Sequence, residues 1–245
     1  MLLMAAVARS VWEGLLDALY PPRCLVCGRD EAEPFCAACR SGIVPLAAPF
    51  CDRCGVPVPA GRLVCETCAE GEVPAFAWSQ AVGQYTGTLR TAIHRLKYDR
   101  RTALAKPLGE LLAAAIKTGS PLLPEGEPFD CIVPVPLHRS KLRTRGFNQA
   151  ELVARVLVGR CGCLLDTKGL LRVLRTRTQT AYHAAERHSN VAQVFDTATP
   201  LYFDGKSILL VDDVLTTGST VRECSRVLQN AGARRVAVLV VARGL

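Results

Sequence analysis

The sequence predicts an α/β fold, an open parallel sheet with helices on both faces, preceded by a small module built on cysteines. Three observations predict it. From about residue 75 onward, apolar strand-like runs alternate with amphipathic helical patterns. The runs SILLVDD (207–213) and RRVAVLVVA (234–242) are apolar without alternation, as strands covered on both faces are. Eight of the twelve cysteines fall between residues 24 and 68, in four pairs with two residues between partners. A chain of 245 residues is long enough for one full domain plus a small appendage, or for two modest domains. Three segments are expected: 1–20, 21–70 and 75–245.

The elements follow in order. In residues 1–20, Trp12, Leu15, Leu16 and Leu19 recur at helical spacing, with Glu13 and Asp17 on another face. No cation precedes the apolar start and Arg9 follows at once, so a docking helix fits better than a secretory signal. Strand-like AFAWSQAVGQY (75–85) is followed by helical LRTAIHRLKY (89–98) and LAKPLGELLAAAIKT (104–118). Phe129–Pro136 reads as a short buried strand and Gln149–Val158 as a helix. After the strand at 207–213, Ser219–Ala231 forms a helix with Val221, Cys224, Val227, Leu228 and Ala231 inward, and 234–242 is the last strand.

The cysteine pairs are Cys24/Cys27, Cys36/Cys39, Cys51/Cys54 and Cys65/Cys68. A two-residue spacer lets a tight turn aim two sulfurs at one ion, and two such turns close a tetrahedral shell. PPRCLVCG and APFCDRCG align as an internal repeat of 27 residues, too short to hold a core without metal. The simplest assignment is a double zinc ribbon. One structural zinc sits on Cys24, Cys27, Cys36 and Cys39, and a second on Cys51, Cys54, Cys65 and Cys68. Interleaved pairing and an iron–sulfur cluster remain open at this point. Four thiolates leave no coordination position for water, so the ions hold structure and do no chemistry. Regular pairing without a secretory signal argues for a reducing cytoplasm over a disulfide framework.

Composition narrows the function classes. Hydrophobic residues at 49% and charged residues at 21% exclude a disordered chain. No stretch approaches the ~18 apolar residues of a membrane span. The net charge of +8 is unevenly placed: residues 1–70 hold six Arg and eight acids, whereas residues 71–245 hold 24 basic and 14 acidic residues. The second segment is thus expected to meet a polyanion.

The sharpest chemical signal is ILLVDDVLTTGST (208–220). A buried strand delivers Asp212 and Asp213 at its carboxyl end, where ligands of open α/β sheets bind. Thr216, Thr217, Gly218, Ser219 and Thr220 then run into a helix start, whose amides and hydroxyls suit a phosphate. One phosphate beside carboxylates that accept from vicinal hydroxyls matches a 5-phosphorylated ribose. The run is similar to the phosphoribosyl diphosphate (PRPP) signature of type I phosphoribosyltransferases. A second cradle, for the diphosphate, is expected in PVPLHRSKLRTRGFNQ (134–149), from His138, Arg139, Lys141, Arg143, Arg145 and Gly146. Residues 172–190 read as a basic flap offering Arg175, Arg177, Gln179, Arg187 and Asn190. Gly205-Lys206-Ser207 only imitates the end of a P-loop, since it precedes a strand instead of following one.

Over nearly its full length the chain resembles the ComF/GntX-type family. The resemblance rests on the cysteine repeat, HRLKYDRRTALAKPLGELL, VPVPLHRSKLRTRGFNQAELVAR, ERHSNVAQVF and VDDVLTTGST. It implies a type I phosphoribosyltransferase-like domain behind a double zinc ribbon. It also implies a cytoplasmic protein that binds PRPP, with Mg²⁺, and handles single-stranded DNA during natural transformation, beside competence or DNA-translocation proteins. Two alternatives stand next to it: an active phosphoribosyltransferase with an unidentified acceptor, and a PRPP-sensing regulator.

Overall fold

The computed structural model describes residues 21–70, 74–117, 128–173 and 194–245. The expected N-terminal helix at 1–20 and the flap residues Arg175, Arg177, Gln179, Arg187 and Asn190 lie outside them. Five parallel strands form the main sheet, in the order β1 (Trp78–Gln84), β7 (Arg235–Arg243), β6 (Ser207–Leu215), β2 (Cys131–Pro134) and β3 (Leu164–Leu165). The central strands β6 and β7 are buried along almost their whole length, which is why their sequences do not alternate.

Alternate residues of each strand supply two cores. Ile132, Leu209, Val211, Leu239 and Val241 face α3 (Gly87–Tyr98), α4 (Ala105–Lys117) and α6 (Gln149–Cys161). Val133, Ile208, Leu210, Val238 and Val240 face α7 (Ser219–Asn230), together with Phe195 and Leu170. Those last two belong to an antiparallel pair, β4 (Leu170–Arg172) and β5 (Phe195–Thr197). Helices therefore cover both faces, as expected. Gly109 lets α4 and α6 approach closely, since a Cβ there would lie 2.9 Å from the Val153 carbonyl oxygen.

Two differences from the sequence expectation matter for the site. Residues 139–145, read as a basic loop, form the helix α5 (Arg139–Arg145). The His138 ring caps it by accepting from the Ser140 amide, and Gly146 closes it in the left-handed region at φ 88°. Strand β6 also runs two residues further than expected, so Asp212 and Asp213 lie within it.

The cysteine repeat folds twice in the same way. Each CxxCG turn is closed by its glycine amide donating to the first cysteine carbonyl, Gly28 to Cys24 at 2.9 Å and Gly55 to Cys51 at 2.8 Å. Each second pair opens a short helix, α1 (Ala37–Ser41) after Cys36 and α2 (Glu66–Ala69) after Cys65. The two halves straddle the β1 edge of the sheet. Val26 and Phe35 join the core under α3, and Val58 joins the core of the other face. Between them the linking chain runs along β1, with the Gln84 amide donating to the Val44 carbonyl at 2.9 Å. An open strand edge is a template for unwanted pairing, and this one is covered.

Gly55 marks how tightly the second half docks. Its φ is +67°, and a Cβ would run into the Ser79 carbonyl of β1. Gly28 has an equal backbone need, φ +78°, with nothing within 4 Å. Gly28→Ala is expected to cost about 1–2 kcal/mol from backbone strain alone. Gly55→Ala must also push the ribbon off β1 and should cost clearly more. Urea unfolding of the two variants side by side checks this; equal losses would show that the close contact contributes nothing.

Candidate ligand site and metal centres

The two cysteine sets come together as the spacing predicted. In each, the four sulfurs lie within 4.8 Å of one another. Cys24 and Cys39 are 3.9 Å apart, Cys27 and Cys36 3.8 Å, and Cys54 and Cys65 3.7 Å. A tetrahedron with Zn–S bonds of about 2.3 Å has an edge of about 3.8 Å. The sulfurs therefore fit zinc, in the sequential assignment and not the interleaved one. Backbone amides support the ionised form: Val26 and Cys36 donate to the Cys24 sulfur, and Cys65 to that of Cys51. Burial opposes ionisation at Cys24, but the amides of Cys36, Cys27 and Val26 outweigh it and bring its pKa down to about 6. The same balance brings Cys51 to about 7.

Arg243, at the end of β7, is buried beside the second set. Its guanidinium donates to the Cys54 carbonyl at 3.2 Å and to the Ser79 hydroxyl at 3.1 Å. Ser79 in turn donates to the same carbonyl. Burial lowers the Arg243 pKa and the neighbouring Cys54 raises it. A loaded four-thiolate centre carries a formal charge of −2, so a cation packed against it is favourable.

At the same carboxyl end of the sheet, β6 delivers the acid pair. Asp213 is buried and its Oδ2 lies 2.8 Å from Lys97 Nζ at the end of α3. Asp212 points to the opposite side, half-buried, and its carboxylate accepts from the Asp213 amide at 2.8 Å. Burial first, and the adjacent Asp213 second, push the Asp212 pKa well above the usual carboxylate range. The loop beyond them is exposed at Thr216, Thr217 and Ser219. Gly218 stands at φ +80° as the N-cap of α7, and the Thr217 and Ser219 hydroxyls are 3.2 Å apart. Around Gly218 a Cβ would meet only ordinary contacts at 3.7 Å or more, so the turn needs glycine for its backbone and not for space. The loop is exposed to solvent at a helix start, an arrangement suited to a phosphate.

Beside Lys97 opens a cleft of about 530 Å³. Lys97, Tyr98 and Arg100 form one wall; His138, Lys141 and Arg145 of the α5 segment form the other, with Arg172 also lining it. The structure thus brings His138, Lys141 and Arg145 together, as expected of a second anion site. Arg139 and Arg143 are exposed on α5 outside the cleft, and Gly146 serves as the α5 cap. Sequence reasoning missed Lys97, Tyr98 and Arg100. The only signal was the cation density of HRLKYDRR at a helix end. Gly205-Lys206-Ser207 is a turn leading into β6 and no P-loop, as the sequence implied. Among the described residues no helix is long and apolar enough to cross a membrane.

A parallel sheet whose central strand carries two acids near its carboxyl end and leads into a Thr-Thr-Gly turn, with four-cysteine ribbons on its edge, defines a phosphoribosyltransferase-fold protein with a double zinc ribbon. Residues 15–69 match the double zinc ribbon domain, and residues 143–245 match the phosphoribosyl transferase domain. The chain is 34% identical to the DNA utilization protein YhgH of Salmonella typhi, over 86% of this chain and 90% of that protein. It is 31% identical to competence protein F of Haemophilus influenzae, over 85% and 90%, and 26% identical to competence protein ComFC of Bacillus subtilis, over 82% and 80%. The chain belongs to this ComF-type family.

Two measurements follow from the geometry. Elemental analysis is expected to find two zinc ions per chain, falling to one in Cys36→Ser; no metal, or iron at that ratio, would overturn the assignment. Lys97→Met leaves the Asp213 carboxylate buried without its cation and should cost about 3–5 kcal/mol. Urea unfolding of Lys97→Met alone and of Lys97→Met with Asp213→Asn checks this, because the double variant should recover much of the loss.

Proposed function

We propose that this protein binds PRPP, with Mg²⁺, in the loop after β6 and handles single-stranded DNA in a DNA-uptake or DNA-utilization process, in a cytoplasmic setting with competence or DNA-translocation proteins as partners. The observation that carries the ligand reading is the run from Ile208 to Thr220. It is a buried strand, two acids and a glycine-capped helix start, in a domain matching the phosphoribosyl transferase family. The loop amides and the hydroxyls of Thr216, Thr217, Ser219 and Thr220 would hold the 5-phosphate. Asp212, the more open of the two acids, would accept from a ribose hydroxyl. A divalent cation arriving with the diphosphate would offset the charge that now raises its pKa. His138, Lys141 and Arg145 would take the diphosphate, and Arg175, Arg177, Gln179, Arg187 and Asn190 would close over it. The DNA role rests on the relatives named for competence and DNA utilization and on the basic excess of residues 71–245.

The phosphoribosyl transferase match also favours a second reading, transfer of phosphoribose to an acceptor with loss of diphosphate. A diphosphate-release assay over a panel of bases separates it from binding alone.

Calorimetry with PRPP and Mg²⁺ tests the ligand. Asp212→Asn removes a charged acceptor worth about 1.5–3 kcal/mol, so affinity should fall roughly ten- to a hundredfold. Gly218→Val should lose more, because its φ forbids a β-branched residue, and Thr217→Ala less, because the amides remain. Circular dichroism must show each variant folded. Wild-type protein that takes up no PRPP at millimolar concentration sinks the proposal.

A further inference from the structure

The cleft beside Lys97 holds one feature that PRPP does not explain. Tyr98, the last residue of α3, is 63% exposed at its wall. It is not loose. His94 packs against it one helical turn back, ring centroids 4.7 Å apart and tilted, and the Arg145 guanidinium sits 5.4 Å from its centroid. Both contacts fix the ring's direction while most of it stays open.

Arg100, two residues on, sits at φ 55°, a left-handed conformation that side chains other than glycine rarely take. Glycine would relieve the strain, but the arginine donates to the Thr144 carbonyl at 2.7 Å, joining the end of α3 to α5 across the cleft. Among the described residues, neither Arg100, Lys141 nor Arg145 pairs with a carboxylate, and no carboxylate lines the cleft. The volume falls within the roughly 300–1,000 Å³ of sites that take a small ligand or one unit of a longer one.

We infer that Tyr98 is a stacking platform for one unpaired base of a single DNA strand, whose flanking phosphates lie against Arg100 and, when no diphosphate occupies them, against Lys141 and Arg145. The inference rests on the DNA-handling reading above and gives it a location. An open aromatic face among cations with no carboxylate partner is the combination that holds single strands without reading sequence. PRPP has phosphates but no flat ring, so it gains nothing from Tyr98. A free base has a flat ring but no phosphate, so it gains nothing from Arg100 and Lys141. A paired base is already stacked and cannot reach the ring.

The test is fluorescence anisotropy of a labelled oligothymidine, at several salt concentrations, with the full chain. Tyr98→Ala should weaken binding roughly five- to hundredfold with an unchanged salt slope. Tyr98→Phe should bind as wild type. Lys141→Ala should instead lower the salt slope by about one phosphate contact. An oligonucleotide of abasic sites should bind wild type and Tyr98→Ala equally. Exposed Tyr98 carries little of the fold, and thermal melting confirms that the variant is intact. If wild type binds no strand, the DNA-handling reading itself fails. If wild type binds and Tyr98→Ala binds as well, or if free adenine or thymine at millimolar concentration displaces the strand, only the Tyr98 platform is overturned.

Discussion

One buried guanidinium joins the parts of this molecule. Arg243 stands where the second cysteine set, the edge strand β1 and the end of β7 meet, and it donates to both Cys54 and Ser79. A buried cation is costly unless its partners are fixed. Here they are fixed by a metal-ready turn on one side and a sheet on the other. The next residue, Gly244, donates to the Leu215 carbonyl at 2.8 Å, where β6 turns into the Thr216–Gly218 loop. The ribbon, the sheet and the loop after β6 are therefore neighbours through two residues, Arg243 and Gly244.

That arrangement gives the ribbon a place in the fold and not only beside it. Its cysteines, Cys27 excepted, pack in or against the hydrophobic cores on the two faces of the sheet. Its linking chain runs along the strand that would otherwise stand open. Arg95 of α3 also donates to the Leu25 carbonyl at 2.9 Å, so the first half is held by the same helix that ends in Lys97 and Tyr98.

What could be read from the sequence was what is local. The ligand sets for zinc lie within short spacings, and the β6 loop carries its strand, acids, glycine and helix start in one run. The central strands announced themselves by unbroken apolarity. What could not be read was what chain reversal brings together. Lys97 meets Asp213, and Arg243 meets Cys54 across 189 positions, and no periodicity encodes either pairing. The α5 segment read as a loop because its four cations hide its cap residues, His138 and Gly146. The β3, β4 and β5 strands are two or three residues long and leave too short a pattern to detect.

The covered edge has a consequence for the life of the protein. Strand β1 is seven residues long, and what shields it is a module too small to stay folded without its ions. A cell short of zinc, or one that oxidises these thiols, would uncover an edge next to two apolar cores. Such an edge pairs readily with another copy of itself. Metal supply would then govern how much of the protein stays dispersed, whatever the condition of its ligand loop.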